Sequence, residues 1–207
     1  LAASSGVARP IYPYRIKNNA TGVAEIQRIG EKSGQTFLQG TPVQIDVAGA
    51  TGFIIANPAI VSVATAIIAG FSHEFGHNLA VSGVFVAQTT GQGVPNQPSA
   101  VVNPIGAVAI DNIIGGIGFY VANDIVNFIG TYGDSVTAAN AVLAQAQVGA
   151  IRGLTKDAGN NFWYIDNAIT TTAGGACVEI VSLVDPIGTL NGRVEFRVTH
   201  AAQQLAT

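Results

Sequence analysis

Along most of this chain, apolar and polar positions alternate in short runs that glycine or proline closes. After the Thr41-Pro42 turn, Val43, Ile45 and Val47 alternate with Gln44 and Asp46, the period-two pattern of a half-buried strand. Phe53-Ile54-Ile55, Val61 to Ile68, Val84-Phe85-Val86, Val101-Val102, Ala107 to Ile110, Gly118 to Val121 and Ile125 to Ile129 are further strand-like runs rich in β-branched residues. Phe71 to Ala80 has no clear period. From Ile151 onward the pattern reads as an antiparallel meander. Ile151 to Thr155 meets a turn at Asp157-Ala158-Gly159-Asn160, Phe162 to Ile165 follows, and Ala176 to Val184 stops at Asp185-Pro186. Asn191-Gly192 is a hairpin dipeptide. Beyond it, Val194, Phe196 and Val198 share one strand face, with Glu195 and Arg197 on the other, wet or paired.

One stretch breaks the β pattern. Ser135 to Val148 is rich in alanine and glutamine, has Asp134 or Ser135 to cap it and Gly149 to end it, and predicts a short helix near 135–148. The chain is thus expected to be mainly β: an antiparallel jelly roll, or a β-barrel or sandwich. Residues 1–22, with Pro10 and Pro13 around Ile11, Tyr12 and Tyr14, read as an extended arm, dispensable for the fold, that either lies loose or as an edge strand, or clips onto a neighbouring chain. Residues 23–207 form the compact β domain, with a sub-boundary at the polar Gly/Pro/Gln stretch near 88–100. Glu25, Arg28, Glu31 and Lys32 mark a solvated loop or short strand at its start.

Composition sharpens this picture. Of 207 residues only 10% are charged, against about 25% in an ordinary soluble domain, and mean hydropathy is +0.40. That excludes a disordered chain. A net charge of −3 without a basic cluster argues against nucleic acid as a direct partner, and a single cysteine, Cys177, excludes a disulfide scaffold. Cys177 between Ala176 and Val178 reads as a small buried apolar residue. Val47 to Ser72 is uncharged and long enough to span a bilayer. Yet Gly49, Gly52, Asn57-Pro58 and Gly70 break it and no Lys or Arg flanks it, so no membrane is expected. The N-terminus lacks the basic-then-apolar order of a secretion signal. Low charge with high apolar content is instead the composition of a chain that covers its faces with other chains.

Three motifs invite chemistry. His73-Glu74-Phe75-Gly76-His77 fits H-E-x-x-H, in which a helix puts two imidazoles on one zinc ion and the glutamate activates its water. This resembles the zincin peptidases over five residues. The metzincin continuation fails, since Ala80 and Gly83 stand where glycine and histidine are required, and no glutamate lies between Glu74 and Glu179 to serve as a third ligand. No metal and no catalytic residue is therefore assigned. Gly115-Gly116-Ile117-Gly118 misses the dinucleotide register, with Val121 at the last glycine position, and reads as a turn between strands. Trp163 and Tyr164, beside Asn160-Asn161, offer a sugar-stacking surface or core packing. Asn19-Ala20-Thr21 matches a glycosylation sequon, a chance match in a chain without a secretion signal.

Several longer stretches carry a family likeness. Phe37-Leu38-Gln39-Gly40-Thr41-Pro42-Val43-Gln44, then Ala66-Ile67-Ile68-Ala69-Gly70-Phe71, resemble the strand-turn blocks of tailed-bacteriophage head decoration (cement) proteins. Gly76-His77-Asn78-Leu79 followed by Pro95-Asn96-Gln97-Pro98-Ser99-Ala100-Val101 is also similar to phage particle proteins. Gly153 to Ala158, Trp163 to Asp166 and Val184 to Val194 resemble the C-terminal hairpins of the same family. The likeness runs from about residue 37 to 200 and rests on turn and strand signatures.

It implies a non-enzymatic virion protein without cofactors. Such a protein would sit as a homotrimer on the outer capsid surface and bridge major capsid protein subunits. On this reading Arg9, Ile11, Tyr12, Tyr14 and Arg15 of the arm contact capsid or neighbour. The rival functions are a zinc metallopeptidase using segment 73–77, and a carbohydrate- or receptor-binding β-module of a phage fibre or spike.

Overall fold

A computed structural model describes residues 3–16, 24–30, 38–46, 54–56, 67–73, 77–79, 85–87, 116–171 and 175–205. It is mainly β, built around a closed five-stranded barrel. The barrel strands are β9 (Val126–Gly133), β10 (Ile151–Lys156), β11 (Trp163–Asp166), β12 (Val178–Leu183) and β13 (Arg193–Val198). Their order is β9-β11-β10-β12-β13, and β13 returns to pair with β9. Closure leaves the ladder without a free edge, the usual remedy for an exposed strand.

The C-terminal strands are not a simple meander. β10 pairs with both β11 and β12, and β11 runs parallel to β9 through Ile165↔Tyr132 and Asp166↔Gly133. The turn and strand signals were legible in each segment, but period-two alternation says nothing about which strand is the neighbour.

β9 is buried along all eight residues. Phe128 and Tyr132 join the barrel core with Ile11, Leu154, Trp163, Ile165, Ile180, Phe196 and Val198. Asn127, Ile129 and Thr131 occupy the opposite face, and Arg9, Pro10 and Tyr12 cover part of that face. Gly130 is needed inside, because a Cβ there would lie 2.7 Å from Ile165 Cδ1. Fully burying a side chain the size of Phe128 stabilises by about 1.5–3 kcal/mol.

The expected helix at 135–148 is absent. Two 3-10 turns stand in its place, Ala138–Asn140 and Gln145–Gln147. The backbone between them is committed elsewhere: Leu143 N–H donates to Thr189 O at 3.0 Å, Gly188 N–H to Leu143 O at 2.8 Å, and Asn191 N–H to Ala141 O at 2.8 Å. Ala141 and Leu143 are buried while Val142 is exposed, so this stretch alternates like a strand against the 187–191 loop. Tertiary partners for the backbone override alanine's propensity.

A second sheet has the order β2 (Ile26–Gly30), β8 (Gly116–Val121), β5 (Gly70–Ser72), β3 (Pro42–Ile45) and β4 (Ile54–Ala56), all antiparallel. β6 (His77–Leu79) and β7 (Phe85–Ala87) pair separately. Gly116, Ile117 and Gly118 lie within β8, so this part of the glycine-rich run is strand and not the expected turn. Among the described residues no helix is long and apolar enough to cross a membrane. The strand expectations at 101–102, 107–110 and most of 61–68, the 88–100 boundary and the sequon at 19–21 lie outside the described residues.

The second sheet is fastened to the barrel by side chains from both. Phe71 packs on Phe128 with ring centroids 4.6 Å apart and edge-on against Phe196 at 5.8 Å. The carboxamide of Gln204 imitates a strand: Ile45 N–H donates to its Oε1 at 2.6 Å, and its Nε2 donates to Ile45 O at 2.8 Å.

The N-terminal segment is part of this fold. β1 (Tyr12–Ile16) adds antiparallel to β9, from Tyr12↔Ile129 to Ile16↔Val126. Ile11 is fully buried in the barrel core. Its close approach depends on Gly40, whose φ is +77° and where a Cβ would lie 2.2 Å from Ile11 N. Upstream, the Asp157 carboxylate accepts backbone N–H bonds from Gly6 (2.7 Å), Val7 (2.9 Å) and Ala8 (3.0 Å). Residues 3–16 are therefore not the dispensable arm their prolines suggest.

Candidate functional site

Five arm residues carry the expected contact role, and the structure divides them. Ile11 points into the chain's own core and has no surface to offer another protein. Tyr12 and Tyr14 are 44% and 40% exposed, large areas for aromatic rings in a chain with so few charges to solvate its surface. Arg9 and Arg15 are also exposed.

β1 ends its sheet. Its backbone is poorly suited to pairing with a further strand, because Pro13 lacks a donor. The register also shifts between Pro13 and Arg15, a bulge that leaves Tyr14 without a cross-strand partner. The strand therefore presents side chains instead of a ladder edge. Arg15 stacks over the Tyr14 ring, 5.0 Å from guanidinium carbon to centroid. Its Nε stands 3.9 Å from the buried carboxylate of Glu195 on β13. Glu195 is satisfied mainly by Asn127 Nδ2 (2.8 Å) and Ser182 Oγ (2.6 Å). The outer face of β13 is thus paired, as is Arg197, which donates to Glu179 at 2.7 Å.

Beside Tyr12 the surface opens into a small cleft lined by Arg9, Pro10, Tyr12, Ile129, Gly130, Thr131 and Arg193, with a cavity of about 50 Å³. Arg193 holds Asp185 through Nη2–Oδ1 at 2.7 Å and shares the cleft wall with Tyr12. That bond to Arg193 holds the Asp185 carboxyl below its usual range, against the opposing effect of burial. Arg9 makes no ion pair among the described residues. The Asp185 loop continues into exposed Ile187 (64%) and Leu190 (53%), and Leu190 bridges to exposed Val142. The Arg193–Asp185 pair thus links the cleft beside β1 to the loop that carries these exposed apolar residues. Sequence reasoning found Arg9 and Tyr12 but gave no contact role to Ile187 and Leu190 of the loop before β13 or to Arg193 at the start of that strand, a stretch legible only as a hairpin.

The other candidates do not assemble. His73 follows β5 in a bend and His77 opens β6, so neither end of the H-E-x-x-H segment is helical, and helical spacing is what would bring both imidazoles to one ion. Residues 74–76 lie outside the described residues. The His73 ring stands edge-on to Tyr120 at 5.1 Å. Among the described residues no three His, Cys, Asp or Glu side chains gather as a metal site. Trp163 lies in the barrel core and Tyr164 is buried on the other face of β11; at 4% and 2% exposed neither presents a stacking surface, which removes the residues assigned to a sugar site. Gly133 makes the room, since a Cβ there would fall 2.4 Å from Tyr164 Cδ2. Cys177 is buried and free, and burial pushes its thiol up to about 12, so it is not a nucleophile at neutral pH.

Comparison of the chain with protein-family models, with curated proteins and with solved structures yields no match.

Proposed function

We propose that this chain is a structural protein of a phage head, which decorates the outer surface of the mature capsid as a trimer and stabilises it by bridging major capsid protein subunits. The observation that carries the proposal is β1. It is an exposed edge strand with outward Tyr12, Tyr14 and Arg15, and it is held rigidly by Ile11 and the Asp157 cradle beneath it. Rigid aromatic and arginine side chains are the residue types that anchor protein interfaces. The sparse charge and the exposed apolar loop at 187–190 support further contact with like chains. A ligand that binds only the mature lattice stabilises it by mass action, and a trimer multiplies individually weak contacts.

The test is sedimentation of purified chain with expanded phage heads, with native mass spectrometry of the free chain. A trimer that co-sediments at saturating stoichiometry is expected, as is loss of co-sedimentation on Tyr12→Ala with Tyr14→Ala. Wild-type occupancy by the double variant would sink the contact assignment. A monomer that never binds heads would sink the function.

A further inference from the structure

The cleft beside Tyr12 has the makings of a binding site that the fold itself does not use. Thr131 lines it, is 2% exposed, and carries a buried hydroxyl with no hydrogen-bond partner among the described residues. A buried hydroxyl left unpaired is unfavourable, so a ligand that accepts its proton recovers that cost. Arg9 lies at the same cleft and makes no ion pair among the described residues, although its charge also helps to lower the Asp185 carboxyl. Arg193 is already held by Asp185. The charges therefore sum to +1 (Arg9 and Arg193, less Asp185), which suits a monoanion better than a dianion. The cavity of about 50 Å³ admits a head group of a few atoms and no drug-sized molecule. Its remaining walls, Pro10, the Tyr12 ring and Ile129, are apolar and would line the methylenes behind such a head.

We propose that this cleft binds a carboxylate, and that its natural occupant is an Asp or Glu side chain of a partner protein. Arg9 supplies the charge-assisted bonds and Thr131 donates its hydroxyl. The identity of the partner as a capsid subunit rests on the decoration reading, whereas the carboxylate chemistry does not.

The test uses the full chain and sodium acetate at constant ionic strength, followed through the amide resonances of Gly130 and Thr131, with sodium phosphate as a separate arm. Acetate should give saturable shifts. Arg9→Ala should weaken binding at least tenfold. Thr131→Val should also weaken it while leaving the melting temperature unchanged or raised, because it removes the unpaired hydroxyl without changing the shape; a merely structural threonine would show no loss of acetate binding. Shifts that do not saturate, shifts unchanged in both variants, or tighter binding of phosphate than of acetate would each overturn the carboxylate site. If acetate binds as expected but the wild-type chain ignores heads, the decoration reading fails and the site stands. If heads are decorated and acetate does not bind, the site fails and the decoration reading stands.

Discussion

The carboxylate of Asp157 accepts the backbone N–H of Ala8 at 3.0 Å, across 149 residues of chain. The same carboxylate takes the N–H groups of Gly6 and Val7, and of Gly159 in its own turn at 2.8 Å. One buried side chain thereby ties the start of the described chain to the β10–β11 hairpin. Asp157→Ala would leave those donors buried or drive the segment off the barrel. Hydrogen bonds to a charged group contribute about 1.5–3 kcal/mol each, and they are not additive. A loss of about 3 kcal/mol is expected, read as a lower urea midpoint with an unchanged slope.

Acid should act through the same group. Burial pushes the Asp157 carboxyl up, but the N–H bonds from Ala8, Gly6, Gly159 and Val7 together outweigh it and hold the pKa below its ordinary value. Asp134 is lowered in the same way: burial is outweighed by N–H bonds from Thr137 and Val136 and by Asn167. A depressed folded pKa means stability that is fully present above the unfolded value and lost as pH falls through the folded one. The melting temperature should therefore stay flat above about pH 5 and drop below about pH 4, taking the ordinary Asp value as the unfolded reference. Asp157→Asn should shrink that drop. A melting temperature that is insensitive to acid would contradict this.

Ile11→Ala should cost about 2–5 kcal/mol, the range for emptying a well-packed core position. Removing residues 3–16 altogether should unfold the barrel, visible as lost near-ultraviolet dichroism from Trp163 and Tyr164. A truncated chain with a native spectrum would restore the view of this segment as a detachable arm.

Gly40→Ala is predicted to destabilise by at least about 2 kcal/mol, since a left-handed backbone alone costs roughly 1–2 kcal/mol for a residue with a Cβ. The collision with Ile11 N adds to it. Gly149, also at positive φ (+83°) but with open space around it, is the control: Gly149→Ala should cost only the conformational part. Equal effects at both glycines would mean that the approach of Ile11 to Gly40 is unimportant.

Cys177 should resist an aqueous thiol reagent in the folded protein and react at once in denaturant. Reaction of the native chain at the rate of an exposed thiol would show that the strand containing it opens readily.

Much of the β content was legible from the sequence because alternation and turn residues are local signals. Val194, Phe196 and Val198 pack inward as their spacing requires, and Glu195 and Arg197 are paired on the other face. What escaped was set by partners distant in sequence. Ser135 to Val148 has the composition of a helix, yet Thr189, Gly188 and Asn191 take its backbone hydrogen bonds. Ile11 sits between prolines like a tail residue, yet Gly40 lets it reach the core. Trp163 and Tyr164, by contrast, are buried as their core-packing reading had it, although they border a polar turn. The candidate site shows the same limit: Arg9 and Tyr12 could be named from their neighbours in sequence, while Arg193 and the bare hydroxyl of Thr131 become visible only when β9, β13 and the N-terminal segment are set side by side.

The pairing of Ile16 with Val126 has a consequence for how this molecule can vary. The chain leaves the barrel at one of these residues and re-enters at the other, directly across the ladder. Everything between is, for the barrel, a hairpin connection of unusual length. Because the entropy of closing a connection grows only logarithmically with its length, such an excursion can be lengthened, shortened or exchanged with little penalty from closure itself. The exceptions are the points where the excursion is fastened to the rest of the fold, Phe71 against Phe128 and Phe196, Gly40 against Ile11 and Ile45 on Gln204, so a replacement graft must supply those contacts as well.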